Sequence, residues 1–480
     1  MGIDHSAVGT DHSATRTDHG LLRFATAGSV DDGKSTLVGR LLHDSKSVLS
    51  DQLDAVERTS TAKGLAQADL SLLVDGLRAE REQGITIDVA YRYFATAART
   101  FILADTPGHV QYTRNTITGA STADLVVILV DARTGVVDQT RRHAAVAALV
   151  GVPHLLLAVN KIDLVDFDET VFDTIAAEFD VYCRELGIGE VTAIPVSALR
   201  GDNIVTRSQR MPWYRGPSIL EHLEQVELDG PDTRQGLRFP VQYVIRPPQT
   251  EQLRDYRGYA GRIAAGRVRP GDPVVVLPSG RRTVVAGLDT ADGPVGEAVS
   301  GDSVTVLLAD DIDLSRGDLI AGQDDAPRPV AEFTATVTQI ADRGLRAGMR
   351  LLLRYGTLAQ PVLVSAVEHL LDIQTLTRAA VPETLSLNEI AQIRLRTAQP
   401  VAVEDFRPGG AVGALLLVDP ADGSTLAAGM VGDRLSALRP PAGRRVVQKD
   451  GSVRRDDADP RCPGQAPVLT DSDDLSTPGP

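Results

Sequence analysis

Gly28-Ser29-Val30-Asp31-Asp32-Gly33-Lys34-Ser35 has the spacing of a phosphate-binding loop: a glycine, four residues, then Gly-Lys-Ser. Glycines at its two ends let backbone N–H groups close on an anion, and a following helix adds the partial positive charge of its N-terminus. In that arrangement Lys34 reaches the β- and γ-phosphates. Ser35 ligates Mg²⁺, and Thr36 completes the nucleotide-contacting run. Asp105-Thr106-Pro107-Gly108-His109 supplies a second element. Asp105 suits water-mediated Mg²⁺ binding, Gly108 allows close approach of its N–H to a γ-phosphate, and His109 can orient or polarise an attacking water. Gly84-Ile85-Thr86-Ile87 offers a third: Thr86, on a mobile loop, completes Mg²⁺ coordination only while the γ-phosphate is present. The fourth is Asn160-Lys161-Ile162-Asp163. The Asp163 carboxylate can accept hydrogen bonds from guanine N1 and its 2-amino group, neither of which adenine offers. Lys161 packs its stem along the base or the loop. Ser197-Ala198-Leu199 then stands where a backbone N–H can read guanine O6. The substrate these types and spacings suit is GTP with Mg²⁺.

The elements that carry these residues are legible as well. Leu21–Ala27 reads as a buried strand before the loop, and Leu37, Leu41 and Leu42 after it have helical spacing. The 44–83 connection reads as mainly helical, with Leu49, Leu53 and Val56 on one face and Leu70, Leu73, Val74 and Leu77 on another. Strands are expected at 89–95, 100–104, 124–131, 155–159 and 191–196, with a helix at 138–150. Strands alternating with helices predict an α/β P-loop GTPase domain at 21–228. Its sheet should be mostly parallel, with helices on both faces and the nucleotide at the carboxyl ends of the strands.

Past Glu227 the pattern changes. Residues 230–236 read as a linker, and short β-type runs at 241–245, 258–263, 273–277, 282–286 and 304–308 alternate with turns. Runs at 333–337, 350–355, 361–367, 389–395 and 414–418 follow a second linker at 324–329. Two small β-barrels are expected, at 237–323 and 330–438.

Composition sets the outer limits. The 480 residues exceed one ordinary domain, and 42% apolar content supports real cores. A net charge of −15 gives no global basic footprint for nucleic acid or an anionic membrane. Two cysteines, Cys183 and Cys462, far apart, support neither a disulfide framework nor a cysteine metal site. No apolar run is long enough to span a membrane and the N-terminus is no secretory signal, so a cytoplasmic protein is expected. Residues 1–20, with Asp-His at 4–5, 11–12 and 18–19, and residues 439–480 read as disordered tails. No second phosphate-loop pattern occurs in the sequence.

A GTPase followed by two barrels resembles the translation-factor GTPases of the elongation-factor-Tu/1A type. Residues 28–37, 73–94 and 111–115 are closer to one branch, the large GTP-binding subunit of bacterial heterodimeric sulfate adenylyltransferase. Residues 257–263, 276–280 and 312–318 resemble it too. Asp32 stands where elongation factors carry His and Ser35 where they carry Thr, which points away from delivery of aminoacyl-tRNA. Against the sulfate family, 246–256 is longer and the 440–480 tail has no counterpart. The resemblance implies that a small catalytic partner subunit handles ATP and sulfate, transferring the adenylyl group to give adenosine 5′-phosphosulfate and pyrophosphate. The subunit read here would hydrolyse GTP to drive that uphill step. Lys34, Thr86, Gly108 and His109 would act in hydrolysis, and Ser35, Thr86 and Asp105 on the metal. Val30 and Ile85 would form an apolar gate near His109.

Overall fold

The structure, a computed structural model, describes residues 20–48, 50–62, 69–73, 88–109, 113–189, 191–228, 235–247, 256–407 and 410–435, with 446–447 and 453–454 beyond them. Six strands form the first sheet: β1 Leu21–Gly28, β2 Ala90–Ala95, β3 Thr100–Asp105, β4 Leu125–Asp131, β5 His154–Asn160 and β6 Val191–Pro195. Their spatial order is β2-β3-β1-β4-β5-β6. All pairings are parallel except β2 with β3, so β2 is an antiparallel edge on a parallel sheet.

The central strand shows why this sheet needs two covered faces. Every residue of β4 is buried. Leu125, Val127 and Leu129 pack with Leu37, Val38 and Leu41 of helix α1 (Lys34–Asp44) on one face. Val126, Ile128 and Val130 pack on the other, among Ala144 and Ala145 of one helix and Phe172, Ile175 and Phe179 of another. A strand buried on both sides needs an unbroken apolar run, not an alternating one. Asp105 ends β3, and Asp163 stands just past the end of β5.

Much of the 44–83 connection, read from the sequence as mainly helical, lies outside the described residues. Helix α2 covers Ser50–Ala62 and a 3₁₀ turn covers Leu70–Leu73. Leu49, Val74 and Leu77 lie outside the described residues. Gly39 of α1 permits the turn to lie on it, since a Cβ there would run into the Leu70 carbonyl, 2.6 Å from its carbon.

Two closed barrels follow. In the first, Pro273–Leu277, Leu319–Gly322, Arg238–Ile245, Gly258–Arg262, Ser303–Leu308 and Arg281–Thr290 pair in that order and back to the start. In the second the ring is Arg350–Tyr355, Ala414–Val418, Thr425–Val431, Val330–Gln339, Ile390–Val401 and Leu358–Asp372. Closure removes free sheet edges. Each ring contains one strand that the sequence pattern did not give, Leu319–Gly322 and Thr425–Val431. Arg238, 3% exposed, joins the barrels: it pairs with Glu404 (2.5 Å) and with Asp325 (3.2 Å).

The second barrel also packs on the sheet domain. Tyr182 donates its hydroxyl to the Ile373 carbonyl (2.9 Å), and Ile340 joins Ile117 and Val146 in an apolar cluster. Residues 439–480 form a separate unit, in which Val446–Val447 pairs with Val453–Arg454. Residues 1–19 and the rest of that unit lie outside the described residues.

Candidate guanine-nucleotide site

The loop Ser29–Gly33 joins β1 to α1 and has the backbone its residue types require. Asp31 and Gly33 both take positive φ, 67° and 94°. A Cβ on Gly33 would run into the Asn160 amide, and one on Gly28 would come 2.9 Å from the Leu129 carbonyl oxygen. Asp32 holds the turn closed: its Oδ2 accepts the Ser29 N–H at 2.6 Å. Burial raises the Asp32 pKa despite that bond and the nearby Lys34. Helix α1 starts with no side-chain cap and no acidic residue in its first turn. Its N–H groups, including those of Ser35 and Thr36, are therefore left to an anion.

Lys34 is buried and donates to the carbonyls of Gly28 (2.9 Å) and Ser29 (2.8 Å). Burial lowers its pKa, against the pull of Asp105, Asp32 and Asp31. Asp105 ends β3 and faces Thr26 in the register of β1. Thr26 donates its hydroxyl to Asp105 Oδ1 at 2.8 Å, and Thr106 donates to the Thr26 carbonyl at 2.5 Å. These bonds fix the acid at the strand end, while Thr116 donates to the Pro107 carbonyl (3.3 Å) and holds the next turn. Gly108 is pressed onto the phosphate loop: a Cβ there would meet Lys34 Nζ, the Gly28 carbonyl oxygen (2.7 Å) and the Ser29 carbonyl carbon (2.9 Å). His109 is exposed at the end of this stretch and Val30 is 43% exposed on the loop. Thr86 and Ile85 lie outside the described residues.

Asn160-Lys161-Ile162-Asp163 leaves the end of β5. Asn160 donates through Nδ2 to the Asp32 carbonyl (2.7 Å) and accepts the Ala198 N–H at Oδ1 (3.0 Å). It thereby ties three of the motifs together. Lys161, at positive φ, donates to the Asp31 carbonyl and pairs with Asp131 at the end of β4 (2.9 Å). Burial pushes the Asp131 carboxyl up, but Arg133 and Lys161 outweigh it and hold it well below the usual range. Ile162 and Asp163 begin a 3₁₀ turn, and Ser197, Ala198 and Leu199 follow β6. Asp163 is held by Arg200 Nε at 3.1 Å.

The structure thus brings together the 28–36, 105–109, 160–163 and 197–199 residues. Sequence reasoning missed Asp131, Arg200, and Arg40, which donates to the Ala198 carbonyl at 3.2 Å. Asp131 had a signal, an acid at the carboxyl end of a central strand. Arg40 and Arg200 had none, because their partners are distant in sequence or are backbone. Among the described residues no cluster of three His, Cys, Asp or Glu could hold a metal. The donors present, a hydroxyl on α1 and the Asp105 carboxylate, fit Mg²⁺ carried largely by substrate phosphates rather than by a protein cage.

A parallel sheet with these loops, followed by two closed barrels, defines a GTPase of the translation-factor type. Residues 19–229 match the elongation factor Tu GTP-binding domain family, and 332–432 match the GTP-eEF1A C-terminal domain-like family. The chain is 51% identical over 442 residues to the bifunctional enzyme CysN/CysC of Mycobacterium tuberculosis, covering 92% of this chain and 72% of that one. It is 50% identical over 437 residues to sulfate adenylyltransferase subunit 1 of Laribacter hongkongensis, covering 90% and 89%. Identity to the Bacteroides fragilis subunit 1 is 48% over 417 residues, 86% of each chain. The chain belongs to the sulfate adenylyltransferase subunit 1 family.

Proposed function

We propose that this chain is the GTP-hydrolysing subunit of a sulfate adenylyltransferase. It couples GTP hydrolysis to the formation of adenosine 5′-phosphosulfate and pyrophosphate from ATP and sulfate on a smaller partner subunit. The observation that supports the hydrolytic reading is the packing of Gly108 on Lys34 and the phosphate loop, which brings the 105–109 backbone against the lysine ammonium. The sulfate reading is supported by the names of the relatives at half identity.

In this reading Lys34 and the N–H groups of 29–36 neutralise the phosphates, and the Gly108 N–H and Thr86 engage the γ-phosphate end. His109 orients the attacking water. Positioned charge of this kind is the main source of rate in phosphoryl transfer. Ser35, Thr86 and Asp105 would hold Mg²⁺, which would supply charge neutralisation at the phosphates. Asn160, Lys161, Ile162, Asp163 and the 197–199 turn select guanine. Order–disorder of the Thr86 and Gly108 loops carries the nucleotide state to the partner. Among the described residues no helix is long and apolar enough to cross a membrane. A cytoplasmic enzyme follows from this reading, with neither nucleic acid nor membrane among its partners.

The test is pyrophosphate release from ATP and sulfate by the chain purified with its co-purifying partner. Release that requires sulfate and rises steeply with GTP is the expected result. Release indifferent to sulfate, with RNA in the preparation, returns the chain to aminoacyl-tRNA delivery.

A further inference from the structure

We propose that Arg200 sets the affinity for guanine nucleotides by competing with the base for the carboxylate of Asp163. The inference rests on the reading of Asp163 as the guanine-selecting acid. Arg200 Nε donates to Asp163 Oδ2 at 3.1 Å. The two side chains differ sharply in freedom: that of Asp163 is 5% exposed and that of Arg200 49%. The acid is fixed in the floor of the site and the guanidinium lies at its lip.

The backbone at this corner is pinned, so a change there belongs to the side chain of Arg200. Arg40 holds the Ala198 and Leu199 carbonyls from helix α1. The Ala198 N–H is held by Asn160, and a bridge between Ser197 and Asp202 closes the turn. Arg200 also lines a polar cavity of about 380 Å³, together with Gly201, Asp202, Arg207 and Arg210. It gives the guanidinium room to withdraw, next to a carboxylate, Asp202, that already holds Arg210 at 3.3 Å.

Guanine presents two donors, N1–H and the 2-amino group, to the two oxygens of one carboxylate. Arg200 takes one of those oxygens. Binding of the base therefore exchanges an ion pair for a hydrogen bond from a neutral donor to the same carboxylate, and the exchange lowers net affinity and quickens release. A half-exposed pair of this kind is worth about a five-fold change in binding.

The test uses fluorescent N-methylanthraniloyl derivatives of GDP and GTP on the full chain with its partner. Arg200→Ala should bind both about five-fold more tightly and release them correspondingly more slowly, with Arg200→Lys in between. Inosine diphosphate offers the carboxylate one donor rather than two and leaves an oxygen to Arg200, so its gain in Arg200→Ala should be smaller. Asp163→Asn is measured alongside. If it fails to move preference from guanine towards xanthine nucleotides, the base-reading assignment falls and the inference with it. If it does move that preference while Arg200→Ala binds no tighter or more weakly, the inference alone is overturned.

Discussion

Gly108 lies directly against Lys34: a side-chain carbon on Gly108 would collide with the ammonium and come 2.7 Å from the Gly28 carbonyl oxygen that the ammonium holds. The lysine end can shift, but the backbone of Gly28 and Ser29 cannot without opening the phosphate loop. Gly108→Ala is thus expected to cost GTP turnover about 10²–10³-fold, the size of losing one pre-aimed donor to a developing charge. GDP binding should weaken much less, because in the proposed reading loop and helix N–H groups, not Gly108, hold the β-phosphate. Single-turnover hydrolysis and equilibrium binding on one preparation separate the two, and equal losses would contradict the placement.

His143, on helix Asp138–Val150, is buried beneath the phosphate loop with its Nε2 3.1 Å from the Gln139 amide. Burial, with the charges of Lys34 and Arg142, lowers its pKa from 6.5 to about 3. The folded protein keeps this group neutral while the unfolded chain protonates it below pH 6.5. Its effect on stability is therefore absent above pH 6.5 and grows as pH falls towards 3. His143→Gln keeps a hydrogen-bonding end without the titration. Urea midpoints of the two proteins should run parallel near neutral pH and diverge in favour of the variant below it, by up to about 1.4 kcal/mol per pH unit. Parallel curves down to pH 4 would mean that His143 titrates normally.

Strand β4 and the phosphate loop were legible because each carries a local signal: an unbroken apolar run, and glycines at fixed spacing around a lysine. The barrel strands Thr425–Val431 and Leu319–Gly322 were not. Thr-Leu-Ala-Ala-Gly-Met-Val is buried at five of seven positions, so it lacks the period-two alternation of its neighbours. Its small residues are needed where strands crowd: a Cβ on Gly429 would come 2.6 Å from the Thr336 carbonyl oxygen. Leu319–Gly322 has only four residues, too few for a periodic signal. In the site, residues that touch nucleotide in this reading follow motifs, whereas Asp131 beside Lys161 and Arg200 beside Asp163 act through side chains that only the fold brings together.

Arg238 is a buried cation whose two acids come from the linker between the barrels and from the second barrel. Burial opposes its charge, but Glu404 and Asp325 more than offset it and raise its pKa. Arg238→Ala strands Glu404, whose N–H is also held by the Tyr355 hydroxyl at 3.2 Å. Removing one partner of a buried pair costs about 3–5 kcal/mol. The variant should unfold at markedly lower urea, and Arg238→Met with Glu404→Met should regain much of the loss, because the acid left without its cation, Asp325, is half-exposed and keeps the Gly236 N–H. Equal loss in single and double variants would assign the effect to packing of the arginine stem.

The proposed reading gives His109 and Lys34 different parts at the γ-phosphate end. Lys34 is buried among carbonyls and acids that a triphosphate would replace as its partners, so its contribution is made in the ground state as well as the transition state. His109 is exposed past Gly108, and in the proposed reading it orients a water rather than gripping the phosphates. Lys34→Ala should weaken GTP binding along with turnover. His109→Ala should leave GTP binding within about two-fold and lower hydrolysis about 10²–10⁴-fold, the range for loss of a positioned general base. Sulfate-dependent pyrophosphate release in the complex should lose its stimulation by GTP to the same degree, since the coupling depends on turnover. Unchanged stimulation in His109→Ala, with binding intact, would remove His109 from the reaction and leave the water to another group.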